Sequence, residues 1–183
     1  MDRIAGESRR FNAWMAGVFY LLTFLAGGVA LTLHGRLGFA AGLVAGACYI
    51  AVTLLFYYMF KPVNGSLSLL AALISFVGCI IGPLSLFVHA ASHISPLVFF
   101  GFYCLLIGYL IFSSTFLPRF LGVLMAFAGL GWLTFLSPPL AGYLSPYNFA
   151  PGLIGEGALT LWLLVKGVDA PPWEAKRRMA KQA

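Results

Sequence analysis

Charged side chains are scarce in this sequence. Of its 183 residues, only 9% are Asp, Glu, Lys or Arg, whereas 61% are apolar. Soluble domains carry about 25% charged residues, and a chain this apolar cannot cover a water-facing surface with polar groups. The composition therefore excludes an ordinary water-soluble domain and predicts a chain that is surrounded largely by lipid.

Cysteine is also rare, and the common catalytic signatures are missing. Cys48, Cys79 and Cys104 each lie inside an apolar stretch and form no C-x-x-C pair. An odd, scattered set of this kind argues against a disulfide framework and predicts buried free thiols that act as small apolar residues. The sequence contains no P-loop, dinucleotide fingerprint or G-x-S-x-G, so nothing supports nucleotide-driven transport or serine hydrolysis.

Long apolar runs dominate the remainder of the chain. A bilayer core about 30 Å thick requires a helix of roughly 20 residues, and lipid requires that the backbone satisfy its own hydrogen bonds. The fold class that we predict is therefore all-α, with residues 1–183 forming a single transmembrane domain, a polytopic bundle of six helices. The predicted spans are about 14–33, 38–60, 67–91, 96–115, 119–137 and 151–168.

The first apolar run is preceded by basic residues, as in a signal peptide. It exceeds the usual apolar region of about 7–15 residues, and no persuasive cleavage site follows it. We interpret it as an uncleaved first span.

The basic residues predict the orientation of the bundle. With six spans, both ends of the chain share one side with the turns at 61–66 and 116–120, and Arg36 lies alone on the other side. The positive-inside rule then predicts a multi-pass protein of the cell inner (plasma) membrane with both termini cytoplasmic and a basic cytoplasmic tail at 169–183. This dispersed charge gives no support for a nucleic-acid partner. The residues on the basic side are Arg3, Arg9, Arg10, Lys61, Arg119, Lys176, Arg177, Arg178 and Lys181.

Small residues and prolines predict details of helix packing. In "GFAAGLVAG", Gly38, Gly42 and Gly46 recur every fourth residue, so they share one helix face on which a neighbouring backbone can approach closely. Pro83 predicts a bend in the third span. The link at 137–150 carries no charge, and we expect it to lie in the membrane interface or to fold over the mouth of the bundle.

Polar groups that could carry chemistry are few. In "SLFVHAASH", His89 and His93 lie four positions apart, and the predicted topology places both on the outer side together with His34. Glu156 is the one acidic residue inside a span, some 7–8 Å below the outer start of its helix at 1.5 Å per residue. A carboxylate in hydrocarbon is costly and needs a partner. Glu156, His34 and His89 are therefore candidates for ligand binding or a proton relay.

Other interpretations of these residues stay open at this point. His34, His89, His93 and Glu156 offer donors that could bind a metal ion. Equally, the histidines could be wet helix ends, and Glu156 could be a buried carboxyl that locks helix packing together with Thr160 one turn below. The sequence identifies no cofactor and no catalytic residue.

Several stretches resemble a known membrane family. They include "YYMFKPVNGSLSLLAALISFVG" at 57–78, "GYLIFSSTFLPRFLGVL" at 108–124 and "LIGEGALTLWLLVKGV" at 153–168. Together they are similar to the family named domain of unknown function 4386, which consists of small multi-helix bacterial integral membrane proteins. The resemblance implies a transmembrane bundle but assigns no role to any residue. This chain has only "HGR" where the resemblance implies a longer outer segment after the first span.

These observations lead to three functional hypotheses. The leading one is a non-enzymatic membrane protein, either a packing or accessory subunit of a larger membrane complex or a binder of a lipid or another lipophilic small molecule. The second is a metal-dependent membrane enzyme with the outer His/Glu site. The third is a proton-coupled carrier in which Glu156 titrates. Membrane lipids are expected partners in every case.

Overall fold

The computed structural model of the chain describes residues 2–33, 35–84 and 95–168, with side chains from residue 10 onward. Throughout these ranges the regular structure is helical and no strand occurs, which confirms the predicted all-α class. The helices are α1 (Asp2–Thr32), α2 (Gly35–Phe60), α3 (Gly65–Leu84), α4 (Pro96–Ser113), α5 (Arg119–Leu133), the short α6 (Pro138–Leu144) and α7 (Ala150–Val165).

Six segments are long and apolar enough to cross a membrane, which makes this a candidate membrane protein by length and composition. They are Arg10–Thr32, Gly35–Phe60, Gly65–Leu84, Pro96–Ser113, Arg119–Leu136 and Tyr147–Val165. Each overlaps one predicted span. The predicted end of the third span at residue 91 lies outside the described residues.

Local chemistry explains where the helices begin and end. Gly35 has a φ of 73°, a left-handed conformation that glycine adopts without strain, and it starts α2 directly after α1. The Asn64 side chain accepts a 3.0 Å hydrogen bond from the Leu67 N–H and so caps the start of α3. Pro96 opens α4, where its missing N–H loses no helical bond. At the far end, Gly167 has a φ of 71° and turns the chain out of α7.

The six long helices form a closed ring. Each packs against the next along the chain, with α5 followed by α7, and α7 packs against α1. The shared core contains large apolar side chains, including Phe56, Ile107, Met125 and Leu159. Large apolar side chains such as Leu31, Leu37 and Leu130 lie on the outside of the ring. An apolar exterior of this kind is what a bilayer, rather than water, would solvate.

Helices α4 and α5 approach each other through paired glycines. A Cβ placed on Gly108 would lie 2.7 Å from the Gly122 carbonyl oxygen, and one placed on Gly122 would lie 2.6 Å from the Gly108 oxygen. Gly101 and Gly129 repeat the arrangement seven residues away on each helix, with corresponding distances of 3.1 and 2.8 Å. The bare backbones therefore touch along this antiparallel pair.

The three glycines predicted to pack as one face have different surroundings. A Cβ on Gly38 would collide with the Leu33 carbonyl group at the α1–α2 turn. A Cβ on Gly42 would lie 3.9 Å from the Ala30 Cβ, and one on Gly46 would meet nothing within 4 Å. Close approach in this segment is thus centred on Gly38, next to the turn. Pro83 lies inside α3, one residue before the last described residue of that helix.

The uncharged link after α5 folds back on the end of the bundle. It contains short 3₁₀ turns at Thr134–Leu136 and Tyr147–Phe149 on either side of α6. The Phe149 ring packs against the rings of Trp132 and Phe135, with centroid distances of 5.6 and 5.5 Å. The buried Asn148 side chain donates a 3.4 Å hydrogen bond to the Ala141 carbonyl. This packing fixes the segment that leads into α7.

Candidate functional site

Glu156 lies on α7 in the centre of the bundle, where its residue is only 4% exposed. The Tyr20 hydroxyl of α1 donates a 2.7 Å hydrogen bond to Oε2. The indole Nε1–H of Trp132, on α5, donates to Oε1. The Cys104 thiol of α4 also approaches Oε1, with an Sγ–Oε1 distance of 3.6 Å. One carboxyl group therefore connects four helices.

Glycines on α7 make this arrangement possible. Gly152 precedes Glu156 by one helical turn, and any Cβ there would overlap the Trp132 ring. The indole can therefore lie flat against the α7 backbone while its N–H reaches the carboxyl one turn later. Gly155 lies so close to the Leu124 carbonyl of α5 that a Cβ would not fit. Both glycines bring α7 against α5 and place Glu156 inside the ring.

The three groups around the carboxyl are all neutral hydrogen-bond donors. A carboxylate accepts hydrogen bonds at both oxygens, so it matches donors from Tyr, Trp and Cys without an ion pair. No Lys or Arg in the described part of the chain forms a salt bridge with Glu156. Because an unsatisfied buried polar group costs several kcal/mol, these contacts explain how a carboxyl group is tolerated inside the bundle.

Thr160 contacts the main chain of Glu156, not its carboxyl group. Its hydroxyl donates a 2.7 Å hydrogen bond to the Glu156 carbonyl oxygen one turn earlier. The packing interpretation of Glu156 therefore depends on Tyr20, Trp132 and Cys104, whereas Thr160 only satisfies its own hydroxyl within α7.

Further hydroxyl groups extend from Glu156 across the bundle. The Tyr20 and Tyr49 rings meet edge to face at 5.6 Å, and Tyr49 meets Tyr103 at 5.7 Å. Thr53 and Ser75 share a 2.7 Å hydrogen bond between α2 and α3. We call this set the polar core, and each of the six long helices contributes to it. Its members are Tyr20, Tyr49, Thr53, Ser75, Tyr103, Cys104, Trp132 and Glu156.

Two members of the polar core have hydroxyl groups with only loose contacts, since the Tyr103 hydroxyl lies near Thr53 and the Tyr49 hydroxyl lies near Cys104. The oxygens of Tyr49 and Tyr103 are buried, and neither has a partner in hydrogen-bonding geometry among the described residues. Buried hydroxyl groups usually have a partner, which can be an ordered water molecule. The polar core therefore has hydrogen-bonding capacity beyond what the Glu156 contacts use.

The predicted histidines, His34, His89 and His93, lie outside the described residues.

The positions of Glu156 and its partner along their helices show how far each lies from a helix end. Glu156 follows the start of α7 at Ala150 by six residues, about 9 Å along the axis. Its partner Tyr20 precedes the end of α1 at Thr32 by twelve residues, about 18 Å. Within the described ranges, no group of three His, Cys, Asp or Glu side chains is placed to hold a metal ion.

The partners of Glu156 were not identified from the sequence, although a signal for two of them existed. Tyr20 and Trp132 carry polar hydrogens within apolar spans, where such groups normally find an acceptor. Glu156 was the strongest acceptor in any span. Cys104 gave no such signal. All three cysteines are free, as predicted, but only Cys104 is buried, whereas Cys48 and Cys79 are half-buried. Cys104 also donates toward a carboxyl group and is not simply a small apolar residue.

Part of the chain matches the model of a known protein family. The family model described as Domain of unknown function (DUF4386) matches residues 84–167. The resemblance predicted from the sequence is confirmed over that segment, which contains Cys104, Trp132 and Glu156. The fourth participant, Tyr20, lies outside the DUF4386 match.

A curated relative matches part of the chain. The relative is an uncharacterized protein of Archaeoglobus fulgidus, 27% identical over 127 residues, which cover 64% of this chain and 76% of that protein. No solved structure matches. The comparisons therefore supply a family of unknown function and no activity that could be transferred to this chain.

Proposed function

We propose that this chain is a non-enzymatic integral protein of the cell inner membrane. It would bind a lipid or another lipophilic small molecule, or act as a packing subunit of a larger membrane complex. The observation that carries the proposal is the enclosure of the Glu156 carboxyl group by side chains of other helices. The carboxyl group is enclosed by Tyr20, Cys104 and Trp132, so it holds helices together.

A catalytic carboxyl group has a different requirement. A general acid or base must come within hydrogen-bonding distance of the proton that it transfers, in a site that the substrate can enter. Glu156 is 4% exposed, and both of its oxygens already face protein donors. This geometry supports a role in stabilising the bundle and gives no support for turnover.

The apolar outer surface supports the proposal that the chain binds a lipid or another lipophilic molecule. Large apolar side chains on α1, α2 and α5 face away from the core, among them Leu31, Leu37 and Leu130. Contiguous apolar surface of this kind binds lipid or the apolar surface of another membrane protein.

Purification in a mild detergent tests the proposal. We expect the full chain to retain a lipid, a quinone-like molecule or a protein partner, detected by mass spectrometry of the purified material. A delipidated, partner-free monomer that converts a substrate would contradict a non-enzymatic role.

A proton-coupled carrier is the second candidate, favoured by the loosely contacted hydroxyl groups of Tyr49 and Tyr103 near Glu156. Water bound to these groups would extend a hydrogen-bonded path through the polar core. Glu156→Gln should then abolish pH-dependent flux in liposomes, and unaffected flux would exclude this function. The metal-enzyme hypothesis has its own measurement: purified protein should contain stoichiometric metal that is lost in His89→Ala.

A further inference from the structure

A cleft lies between the segment of α1 from Arg10 to Trp14 and the end of α7. Its volume is about 320 Å³, and it opens at the end of the bundle where these two helices meet. Two basic side chains and several apolar ones line it. The lining residues that matter here are Arg10, Phe11, Trp14, Leu164, Lys166 and Gly167.

The two cations of the cleft lack protein counter-charges in the described ranges. Arg10 and Lys166 are both exposed, and neither forms a salt bridge or a cation–π contact with a described residue. Two other basic residues on the same predicted side do contact aromatic rings. Lys61 lies over the Tyr57 ring at 5.7 Å, and Arg119 lies over the Phe112 ring at 5.5 Å. Among the residues whose side chains the structure describes, the cleft thus holds two positive charges without a counter-charge.

The end of α7 lies beside Arg10. The N–H groups of Lys166 and Gly167 both donate to the Trp162 carbonyl, which closes the helix. Gly167 then turns away with a φ of 71°. A Cβ on Gly167 would lie 3.4 Å from Arg10 Cγ, so the aliphatic stem of Arg10 lies beside the α7 end. Arg10 and Lys166, which are distant in sequence, therefore line the same cleft.

The other side of the cleft is apolar. Phe11 and Trp14 are exposed side chains of α1. Leu164 lines the cleft from α7, two residues before Lys166. Moving from the helix ends toward the middle of the bundle, the lining therefore changes from cationic to aromatic and aliphatic. Tryptophan and basic residues together are typical of the level of lipid headgroups in a bilayer.

We propose that this cleft binds the phosphate headgroup of an anionic phospholipid. Arg10 and Lys166 would contact the phosphate, and the acyl chains would lie against Phe11 and Trp14. Basic clefts between helices at the cytoplasmic surface bind anionic headgroups, and an arginine fork matches two phosphate oxygens. This inference rests on the proposed function and deepens it by naming a site and a lipid class.

The test uses the full chain in neutral detergent micelles and counts bound lipid by native mass spectrometry during a titration with phosphatidylglycerol. The double variant R10Q/K166Q should bind this lipid about 25-fold more weakly, because each basic residue near the surface contributes about fivefold. The matched control, K61Q/R119Q, removes the same charge outside the cleft and should stay within about twofold of the unmodified protein. The charge-conserving variant R10K/K166R should retain most of the binding.

Two further arms identify the ligand. Phosphatidylcholine, whose headgroup is neutral overall, should bind much more weakly than phosphatidylglycerol, and inorganic phosphate should not displace bound phosphatidylglycerol at equal concentration. Efficient displacement by inorganic phosphate would overturn the lipid assignment in favour of a free-anion site. Equal affinity of R10Q/K166Q and the unmodified protein for phosphatidylglycerol would overturn the site itself. That result would leave the proposed function standing, whereas turnover of a substrate by the purified protein would remove the function and not the cleft.

Discussion

Replacing Glu156 with methionine should destabilise the bundle more than replacing it with glutamine. Methionine removes the acceptor and leaves the Tyr20 O–H and the Trp132 N–H buried without a partner. Each orphaned donor costs about 1–3 kcal/mol, so Glu156→Met should lower the free energy of unfolding by about 2–6 kcal/mol. Glutamine keeps a carbonyl oxygen for Trp132, and its amide can donate to the Tyr20 oxygen, so only the Tyr20 O–H loses its acceptor and Glu156→Gln should cost about 1–3 kcal/mol.

The measurement is reversible unfolding in mixed micelles, with denaturing detergent as the variable and circular dichroism as the signal. A thermal melt provides a second reading, since 1 kcal/mol corresponds to about 2–4 °C for a chain of this size. Tyr143→Phe is the control, because it removes the hydroxyl of a tyrosine that is 86% exposed. It should leave stability unchanged, whereas Tyr20→Phe should lower it.

A double-mutant cycle makes the reasoning refutable. In the Glu156→Met background, Tyr20→Phe removes an orphaned donor and should be neutral or stabilising, although the same change destabilises the unmodified protein. Equal stability of Glu156→Met and Glu156→Gln would refute the reasoning, as would additive effects of Tyr20→Phe in both backgrounds.

Three other consequences can be measured on the same material. Gly108→Ala should destabilise the bundle by about 1–3 kcal/mol, because its Cβ would press on the backbone of α5. Gly46→Ala, in open space, should be neutral or stabilising, and equal effects of the two changes would argue against the glycine contact. Thr53→Val should cost about 1 kcal/mol by removing the hydrogen bond to Ser75, and no loss in unfolding experiments would count against that bond. Cys104 should react with a water-soluble maleimide only after unfolding, since it is fully buried, and rapid labelling of the native protein would show that its surroundings are open.

The helices could be predicted from the sequence because lipid imposes a strict length and polarity on each span. The predicted fifth span, 119–137, compares with Arg119–Leu136 in the structure. Pro96 and Pro151 lie in the first turn of α4 and α7. The membrane side of each chain end stays a prediction, because it depends on the distribution of basic residues and not on the helices themselves.

The contacts between helices could not be predicted to the same degree. Apolar faces on all sides of the helices give no unique neighbour, so Tyr20 could not be paired with Glu156 across 136 residues. The α4–α5 contact did leave a signal, since Gly101 and Gly108 share a seven-residue spacing with Gly122 and Gly129. The four-residue spacing in α2 predicted close packing at Gly46, but the surroundings of Gly46 are open. Spacing shows which residues share a face, but only packing shows what that face contacts.

The central claim is that this chain crosses a bilayer repeatedly, with its basic turns on the cytoplasmic side. Arg36→Cys and Lys61→Cys, at opposite ends of α2, test it most directly. Each is made in a chain whose native Cys48, Cys79 and Cys104 are replaced by alanine, and intact cells are treated with a membrane-impermeant maleimide. We predict that the cysteine at position 36 is labelled in intact cells and that the one at position 61 is labelled only after the membrane is permeabilised. Labelling of both positions from the same side would contradict a membrane-crossing α2, and the reversed pattern would contradict the orientation.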